Sequence, residues 1–208
     1  MREETRADGL LFAVAGMTRH GKTAWLQQRI RRAARVLVWD PRGEYVREKC
    51  VWIKSAGELA RAVRAAPRAA GRFALWAPLK QFPDFAEIAY LWCQLWPCVA
   101  VVEEQADVTS SGAGQGAWGE LLRKGLFYGA HIYATTQRPQ EVDKTTWGNA
   151  TVKHCHRLDL PLDCEYMGRV LGIAPEEIAR LDKLDWIERR AGSPGAFRGR
   201  VTFDSPLS

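Results

Sequence analysis

Short apolar runs and amphipathic segments follow one another along the chain. Apolar runs that predict strands begin at Leu10, Val36, Arg72, Cys98 and Gly129. The first run shows no alternation of apolar and polar residues, which is typical of a parallel strand that is covered on both faces. Segments with helical spacing lie between the runs, and this order predicts βαβ units. The pattern therefore predicts an α/β fold with a central, mostly parallel sheet flanked by helices.

Both ends of the chain differ from this pattern. Residues 1–8 are mostly charged or polar and predict a flexible tail. Residues 185–208 contain two short strand-like runs on either side of a Ser-Pro-Gly turn signal, which predicts a terminal hairpin and tail. Because the chain has 208 residues and no internal repeat, we expect a single domain.

The first apolar run leads directly into a phosphate-binding loop pattern. The pattern is G-x-x-x-x-G-K-[ST], here Gly16, Met17, Thr18, Arg19, His20, Gly21, Lys22 and Thr23. The glycines allow successive backbone N–H groups to point at a polyphosphate, while Lys22 reaches the β- and γ-phosphates and the Thr23 hydroxyl binds Mg²⁺. Apolar residues at helical spacing follow and predict a helix to about Ala34, whose N-terminal dipole favours the same anion. This stretch predicts a nucleotide site.

Two adjacent acids follow the apolar run that begins at Cys98. Glu103 and Glu104 come directly after Val99–Val102, which is the Walker B pattern. In that pattern the buried strand delivers one carboxylate to the metal and the next to the attacking water. The alternative is a strand end that turns into solvent. We expect Glu103 to bind the metal and Glu104 to activate water.

Polar residues also follow two other predicted strands. Asp40 follows Val36–Trp39, and Gln137 follows the strand that begins at Gly129. The carboxyl ends of parallel strands meet at one edge of the sheet, where ligands collect. We expect Gln137 to sense the γ-phosphate or to hold the catalytic water. Asp40 could orient a water on Mg²⁺ or the attacking water, or it could cap the following turn.

One predicted helix carries a pronounced apolar face. It covers residues 85–95, and Ile88, Leu91, Trp92 and Leu95 lie on one side of it. An apolar face at helical spacing is typical of a helix packed on a core. We therefore expect these residues to be core, with a stacking platform for nucleic-acid bases as the alternative.

Composition adds a basic charge to this picture. The formal net charge is +6, and the sequence pI is near 9.2. A basic surface suits a polyanionic partner such as DNA, although arginine-rich usage also follows genome composition. The basic helix residues Arg29, Arg31, Arg32 and Arg35 are either a solvated face or a DNA contact. By position alone, Thr109–Gly116 and Lys144 are further candidates for contacts with DNA.

The remaining composition argues against membrane, secreted and metal-cluster classes. No apolar run is as long as a membrane span, and the charged N-terminus has no secretory signal, so we expect a cytoplasmic protein. The five cysteines are odd in number and have no C-x-x-C spacing. A metal site at His154, Cys155 and His156 is the alternative to reduced core thiols, which this spacing favours.

Three segments together resemble a known superfamily. These are VLVWDPRGEY, VAVVEEQAD and LLRKGLFYGAHIYATTQRPQEV. They resemble the FtsK–HerA superfamily of P-loop ATPases, which includes chromosome translocases, conjugation ATPases and genome-packaging ATPases of membrane-containing icosahedral viruses. The resemblance covers about Leu10 to Leu171 and implies a RecA/ASCE-like P-loop NTPase fold that uses ATP and Mg²⁺.

The resemblance also implies roles for individual residues. Glu103 stands where the family usually has an aspartate, Glu104 matches the catalytic glutamate, and Gln137 matches the polar sensor. Arg123 lies in a segment similar to the family's Gly-Arg-Lys element, the source of an arginine finger that acts on a neighbouring subunit. This chain has Leu-Arg-Lys-Gly there instead, so Arg138 and Arg157 are competing candidates.

The implied function is an ATP-driven DNA translocase, most similar to viral or phage genome-packaging ATPases. Such a motor works as a homo-oligomeric ring, expected here to be a hexamer, on double-stranded DNA with a portal or vertex protein as partner. It would act in the host cytoplasm or at the virion vertex. The alternatives are a filamentous-phage assembly ATPase, whose relatives carry a membrane span, a P-loop kinase for a nucleoside or other small molecule, and a nucleotide-binding switch.

Overall fold

The computed structural model describes residues 8–45, 49–65 and 68–203. In this part of the chain nine strands form one sheet: β1 (Leu11–Ala15), β2 (Arg35–Trp39), β3 (Val51–Ile53), β4 (Gly71–Leu75), β5 (Val99–Val102), β6 (His131–Thr136), β7 (Val152–Cys155), β8 (Asp185–Arg190) and β9 (Ala196–Arg200). The described helices are α1 (Lys22–Ile30), α2 (Ala56–Ala65), α3 (Phe82–Leu95), α4 (Gly116–Lys124), α5 (Lys144–Asn149), α6 (Pro161–Leu171) and α7 (Pro175–Ala179). None of these helices combines the length and the apolar character that a membrane crossing requires.

The order of the strands confirms the predicted fold class. The sheet runs β3-β4-β2-β5-β6-β1-β7-β8-β9, and all pairs from β3 to β7 are parallel. The strand that ends at Thr136 lies between the strand that leads into the P-loop and the strand that ends at the two glutamates. The carboxyl ends of β1, β5 and β6 therefore meet at one edge of the sheet, as a RecA/ASCE-like P-loop NTPase requires.

Alternate residues of the central strands build two cores, one on each face of the sheet. On β1, Leu11 and Ala13 belong to the larger core, which also contains buried residues of α2 to α7. Phe12 and Val14 belong to the smaller core, where Trp25 of α1 packs. Because both faces are covered, the first strand is fully buried, which explains its unalternated apolar sequence.

The predicted terminal hairpin is confirmed and has a further role in the sheet. Strands β8 and β9 pair antiparallel, with Trp186 opposite Gly199. Strand β8 also pairs antiparallel with β7, so the hairpin extends the main sheet. Most of the predicted N-terminal tail, residues 1–7, and the last residues, 204–208, lie outside the described residues.

Two predictions about helices were wrong. Helix α1 ends at Ile30 instead of about Ala34. In α3 the buried positions include Trp92, but Leu91 and Leu95 are 52% and 44% exposed. The helix starts at Phe82 with a proline in its first turn, and small buried alanines fill part of the inner face, so counting large apolar residues selected the wrong side.

Candidate active site

A cavity of about 430 Å³ lies at the carboxyl ends of the central strands. Its lining residues are Met17, Thr18, Arg19, Gly21, Lys22, Thr23, Ala24, Asp40, Arg42, Glu44, Glu103, Glu104 and Leu184. The structure thus brings most of the predicted P-loop together with Asp40 and both glutamates. Gly16 and His20 complete the loop beside the cavity. The carboxyl ends of β1, β2 and β5 therefore meet at this cavity, as the sequence predicts.

The two P-loop glycines are required by their backbone and their neighbours. Gly16 and Gly21 have φ angles of 154° and 119°. A Cβ atom on Gly21 would lie 2.9 Å from Cε1 of His156, and one on Gly16 would lie 2.7 Å from Cβ of the same histidine. A side chain at either position would collide with the buried His156, so the loop can close only with glycine here.

The side chain of Lys22 is folded into the P-loop. It is 6% exposed, and its Nζ donates to the carbonyl oxygen of Gly16 at 2.5 Å. Burial lowers the pKa of Lys22, and the carboxylates of Glu104 and Glu103 act against that shift. A poorly hydrated ammonium group close to acids interacts strongly with any phosphate that enters the same cavity.

A chain of side-chain hydrogen bonds links the P-loop to the second glutamate. The hydroxyl of Thr18 donates to Oε1 of Gln137 at 2.5 Å. The amide nitrogen of Gln137 donates to Oε1 of Glu104 at 2.7 Å. The residue at the tip of β6 therefore touches both the phosphate loop and the predicted water-activating carboxylate. A displacement of the P-loop can therefore move Glu104 through the side-chain amide of Gln137.

Glu103 lies deeper than Glu104 and is held by two hydroxyl groups. Its carboxylate accepts hydrogen bonds from Tyr45 and from Thr135. Glu103 is 5% exposed, and this burial raises its pKa, whereas the hydrogen bonds from Thr135 and Tyr45 act in the opposite direction. Both donors fix the orientation of the carboxylate at the edge of the cavity.

The donor groups in this part of the cavity fit Mg²⁺. The hydroxyl of Thr23 lies 3.1 Å from Oε2 of Glu44, and the carboxylate of Glu103 lines the same cavity. Mg²⁺ prefers oxygen ligands and is held in nucleotide sites by one or two protein groups together with phosphates and water. Among residues 8–45, 49–65 and 68–203, no cluster of three or more histidine, cysteine or acidic side chains forms a protein-only metal cage. This sparse set of oxygen donors is the kind that a Mg²⁺–nucleotide complex completes.

Asp40 makes the contacts of a capping residue. Its two carboxylate oxygens accept hydrogen bonds from the backbone N–H groups of Glu44 and Tyr45, at 2.9 and 3.0 Å. The side chain is 1% exposed, although the residue lines the cavity. These bonds match the capping alternative, because both oxygens are engaged in holding the loop that follows β2.

The three candidate arginine fingers lie outside the lining of this cavity. Arg123 on α4 donates to the carbonyl oxygen of Gly114 at 3.0 Å and pairs with Glu120. Arg138 pairs with Asp163 at 3.2 Å. A third candidate, Arg157, pairs with Asp159 in the same way.

A buried cluster of histidines lies behind the P-loop. Nδ1 of His154 lies 3.1 Å from Oε2 of Glu188, and its Nε2 lies 3.2 Å from Nε2 of His156. Burial lowers the pKa of His154 to about 4 and that of His156 to about 2, so both rings are neutral. Cys155 is also buried and lies in the core on the other face of the sheet, apart from these rings. Their sequence pattern predicts either a metal site or, for the cysteine, a reduced core thiol.

Four residues of the site were not predicted to take part in the nucleotide site. The first three, Arg42, Glu44 and Tyr45, belong to the DPRGEY segment that carried part of the family resemblance. The fourth, Thr135, is a hydroxyl near the end of the sensor strand and binds Glu103. A polar residue on an otherwise apolar buried strand was the available signal for Thr135. Contacts of the other three depend on how the loop folds back, which local patterns do not determine.

Comparison with known proteins places this chain in a family. No protein-family model matches the chain. Protein P9 of Pseudoalteromonas phage PM2 is 32% identical to it over 175 residues, which span 82% of this chain and 79% of that protein. The genome packaging NTPase B204 of Sulfolobus turreted icosahedral virus 2, solved in complex with AMPPCP, superposes with a TM-score of 0.77 at 12% identity and covers 96% of this chain and 100% of B204.

A third similar structure is the N-terminal domain of zonular occludens toxin from Neisseria meningitidis. It superposes with a TM-score of 0.54 at 13% identity, over 95% of this chain and 96% of that domain. The similarity to the phage protein shows family membership, and the solved structures show the shared fold. The chain belongs to the family of Protein P9 of Pseudoalteromonas phage PM2 and resembles the viral genome-packaging ATPases in fold.

Proposed function

We propose that this chain is an ATP-driven DNA translocase that packages a phage or viral genome. The observation that carries the proposal is the hydrogen-bonded chain from Thr18 through Gln137 to Glu104. It joins a phosphate-binding loop to a carboxylate that can accept a proton from water. A kinase also uses a carboxylate base, but it acts on the hydroxyl group of a bound acceptor, whereas in hydrolysis the base acts on water.

The residues of the cavity divide the hydrolysis of ATP among them. Lys22 stabilises the charge on the β- and γ-phosphates as the bond between the γ-phosphorus and the bridging oxygen breaks. Glu104 accepts a proton from the attacking water while the new phosphorus–oxygen bond forms, and ADP and phosphate leave. Thr23 and Glu103 would hold Mg²⁺, which neutralises phosphate charge when it is bound. Gln137 positions the Glu104 carboxylate for this proton transfer.

A basic net charge and the loop that follows the Walker B acids support action on DNA. The net charge of +6 favours a polyanion, since phosphate contacts release counterions. The segment Thr109–Gly116 follows the Walker B acids and is tied to α5, because the N–H of Lys144 donates to the carbonyl of Gly112 at 2.8 Å. Movement at the acids could therefore be passed to a loop that grips DNA. The similar protein B204 is itself described as a genome packaging NTPase.

A ring of subunits, expected to be a hexamer, would place a neighbour's arginine at each nucleotide. Arg123 is the proposed finger, because it lies in the segment similar to the family's Gly-Arg-Lys element and its side chain is 44% exposed on α4. Among the described residues, its guanidinium is bound by the carbonyl of Gly114 and by Glu120. The ring would act on double-stranded DNA in the host cytoplasm or at the virion vertex, with a portal or vertex protein as partner.

The steady-state ATPase rate with and without double-stranded DNA tests the proposed function. We expect DNA to stimulate hydrolysis in the wild-type chain and Glu104→Gln to abolish the stimulated rate. Hydrolysis that is indifferent to DNA, with phosphate transferred to a small acceptor instead, would overturn the proposal in favour of a kinase.

Mixing inactive subunits tests the finger. We expect Arg123→Ala and Lys22→Ala subunits, each inactive alone, to regain part of the ATPase activity when combined, because some mixed interfaces join an intact P-loop to an intact arginine. Mixtures of Arg138→Ala or Arg157→Ala with Lys22→Ala subunits are the matched comparisons. Absence of recovery with Arg123→Ala, together with recovery for one of the others, would reassign the finger.

A further inference from the structure

The loop that follows β2 is fixed at its base and directs two charged side chains into the cavity. Asp40 binds the backbone N–H groups at the end of the loop, and the buried Tyr45 donates to Glu103. Between these anchors, Arg42 and Glu44 are among the residues that line the cavity. A rigid base with charged side chains above it is an arrangement that positions groups for a ligand.

Arg42 makes a loose ion pair with the predicted water-activating residue. Its NH1 lies 3.5 Å from Oε1 of Glu104, and the arginine side chain is 47% exposed. The same carboxylate oxygen already accepts a shorter hydrogen bond, of 2.7 Å, from Gln137. Because the guanidinium is half-exposed, although Glu104 is buried, and because the two groups are 3.5 Å apart, this ion pair contributes little to stability. Arg42 can therefore exchange its partner at small cost, while Gln137 keeps Glu104 in place.

A terminal phosphate is a better partner for this guanidinium than Glu104 is. The lining of the cavity holds three glutamates, and Lys22 is folded into the loop carbonyls. A nucleoside triphosphate adds more negative charge to the same space, next to Arg42. A guanidinium group offers paired donors that match two phosphate oxygens at once, whereas an ammonium group binds as a point charge.

We propose that Arg42 binds the γ-phosphate of the nucleotide within its own subunit and thereby releases Glu104 to the attacking water. The assignment rests on the proposed function, because it uses the same cavity and the same reaction. Arg42 then distinguishes a triphosphate from a diphosphate, since only the triphosphate draws it away from Glu104. It is a second arginine for the site, separate from any finger supplied by a neighbouring subunit.

Equilibrium binding of AMPPCP and of ADP to Arg42→Ala tests this assignment. We expect the affinity for AMPPCP to fall about 10-fold or more, while the affinity for ADP changes less than about 2-fold. Arg42→Lys should restore part of the AMPPCP affinity, because it keeps the charge but not the paired donors. The matched control is Arg61→Ala, an exposed arginine on α2 outside the cavity lining. The ATPase turnover number of Arg42→Ala should fall as well.

The outcomes separate this assignment from the proposed function. An equal loss of AMPPCP and ADP affinity would show that Arg42 only supports the loop and would overturn the assignment alone. Unchanged affinity for both nucleotides in Arg42→Ala would also overturn it. A wild-type chain that binds neither nucleotide would overturn the proposed function together with the assignment.

Discussion

Polar groups contact the P-loop from two sides, and the two sides differ in charge and in solvent access. In the cavity, Lys22, Arg42 and Glu104 are charged, and the contact between Arg42 and Glu104 is a loose one of 3.5 Å. Behind the loop, His154 and His156 are fully buried and neutral. Chemistry needs charges that can change partners, whereas the support of a tight loop needs groups whose contacts are fixed.

The carboxylate of the buried cluster shows how its charge is held. Burial acts to raise the pKa of Glu188, but hydrogen bonds from His154 and Arg190 keep it below its usual value. Arg29 adds a pair at 3.8 Å and stacks on Trp25, which itself lies over the ring of His154. Arginines at the surface therefore balance the charge of Glu188. The imidazole of His156 packs against the P-loop and is neutral.

The largest expected effect comes from the cavity side. Lys22→Ala should lower ATP hydrolysis by about 10²- to 10³-fold, because one donor aimed at developing charge is lost. The free energy of unfolding should change little, because the cost of burying this charge, which lowers the pKa of Lys22, offsets the loss of its hydrogen bond to Gly16. Urea unfolding beside the ATPase assay checks both parts. If Lys22→Ala lost activity only because it lowered the free energy of unfolding, the catalytic role of Lys22 would be contradicted.

The next largest effect is expected from adding a side chain where the P-loop contacts His156. Gly21→Ala should lower the free energy of unfolding by about 1–3 kcal/mol, because φ is 119° and the added Cβ would lie 2.9 Å from the ring of His156. Gly57→Ala is the matched control. That glycine lies in α2 with its nearest neighbour, an atom of Arg61, at 3.9 Å, so the change should be neutral or stabilising by up to about 1 kcal/mol. Equal effects of the two substitutions in urea unfolding would argue against the close contact.

Mild acid should lower the free energy of unfolding, because His154 is neutral in the folded protein. The folded pKa of His154 is about 4, below its usual value of 6.5, so the unfolded chain takes up the proton first. The stabilisation is complete above pH 6.5 and is lost as the pH falls from there towards 4, by about 1.4 kcal/mol per pH unit for this ring. Urea unfolding between pH 7.5 and 5 measures the slope. His154→Gln should show a smaller slope, and an identical slope would contradict a neutral buried ring.

The smallest effect is expected where the loop after β2 supports the first glutamate. Tyr45→Phe removes one of the two hydroxyls that bind Glu103 and should lower the free energy of unfolding by about 1–2 kcal/mol. Tyr128→Phe is a suitable control, because Tyr128 is only partly buried and lies on a 3₁₀ helix (Gly125–Tyr128) that follows α4, outside the cavity lining. A Tyr45→Phe chain as stable as the control would mean that Thr135 alone holds Glu103.

The same contrast explains what the sequence could predict. The P-loop, the acids after β5 and Gln137 after β6 were recognisable because each is a polar residue at the end of an apolar strand, and a parallel sheet gathers such ends at one edge. The mostly parallel α/β fold follows from the same runs. The terminal hairpin was recognisable from its turn residues.

Other contacts depend on tertiary structure. The bond between Tyr45 and Glu103 and the pair between Arg42 and Glu104 each join residues about 60 positions apart, so no local spacing encodes them. In the sequence, the histidines behind the P-loop look like metal ligands. Their burial depends on the packing of Trp25 on His154, a tertiary contact that local spacing does not encode. The exposed Leu91 on α3 was misplaced because small alanines hold the inner face.

Water activation by Glu104 is the central step of the proposed reaction, and a single-turnover reaction in heavy-oxygen water tests it directly. Wild-type chain with ATP should release phosphate that carries one oxygen from water. Glu104→Gln should bind ATP with similar affinity and release labelled phosphate about 10²- to 10⁴-fold more slowly, because the proton acceptor is lost. An unchanged rate in Glu104→Gln, or phosphate that reaches an acceptor without oxygen from water, would contradict the account.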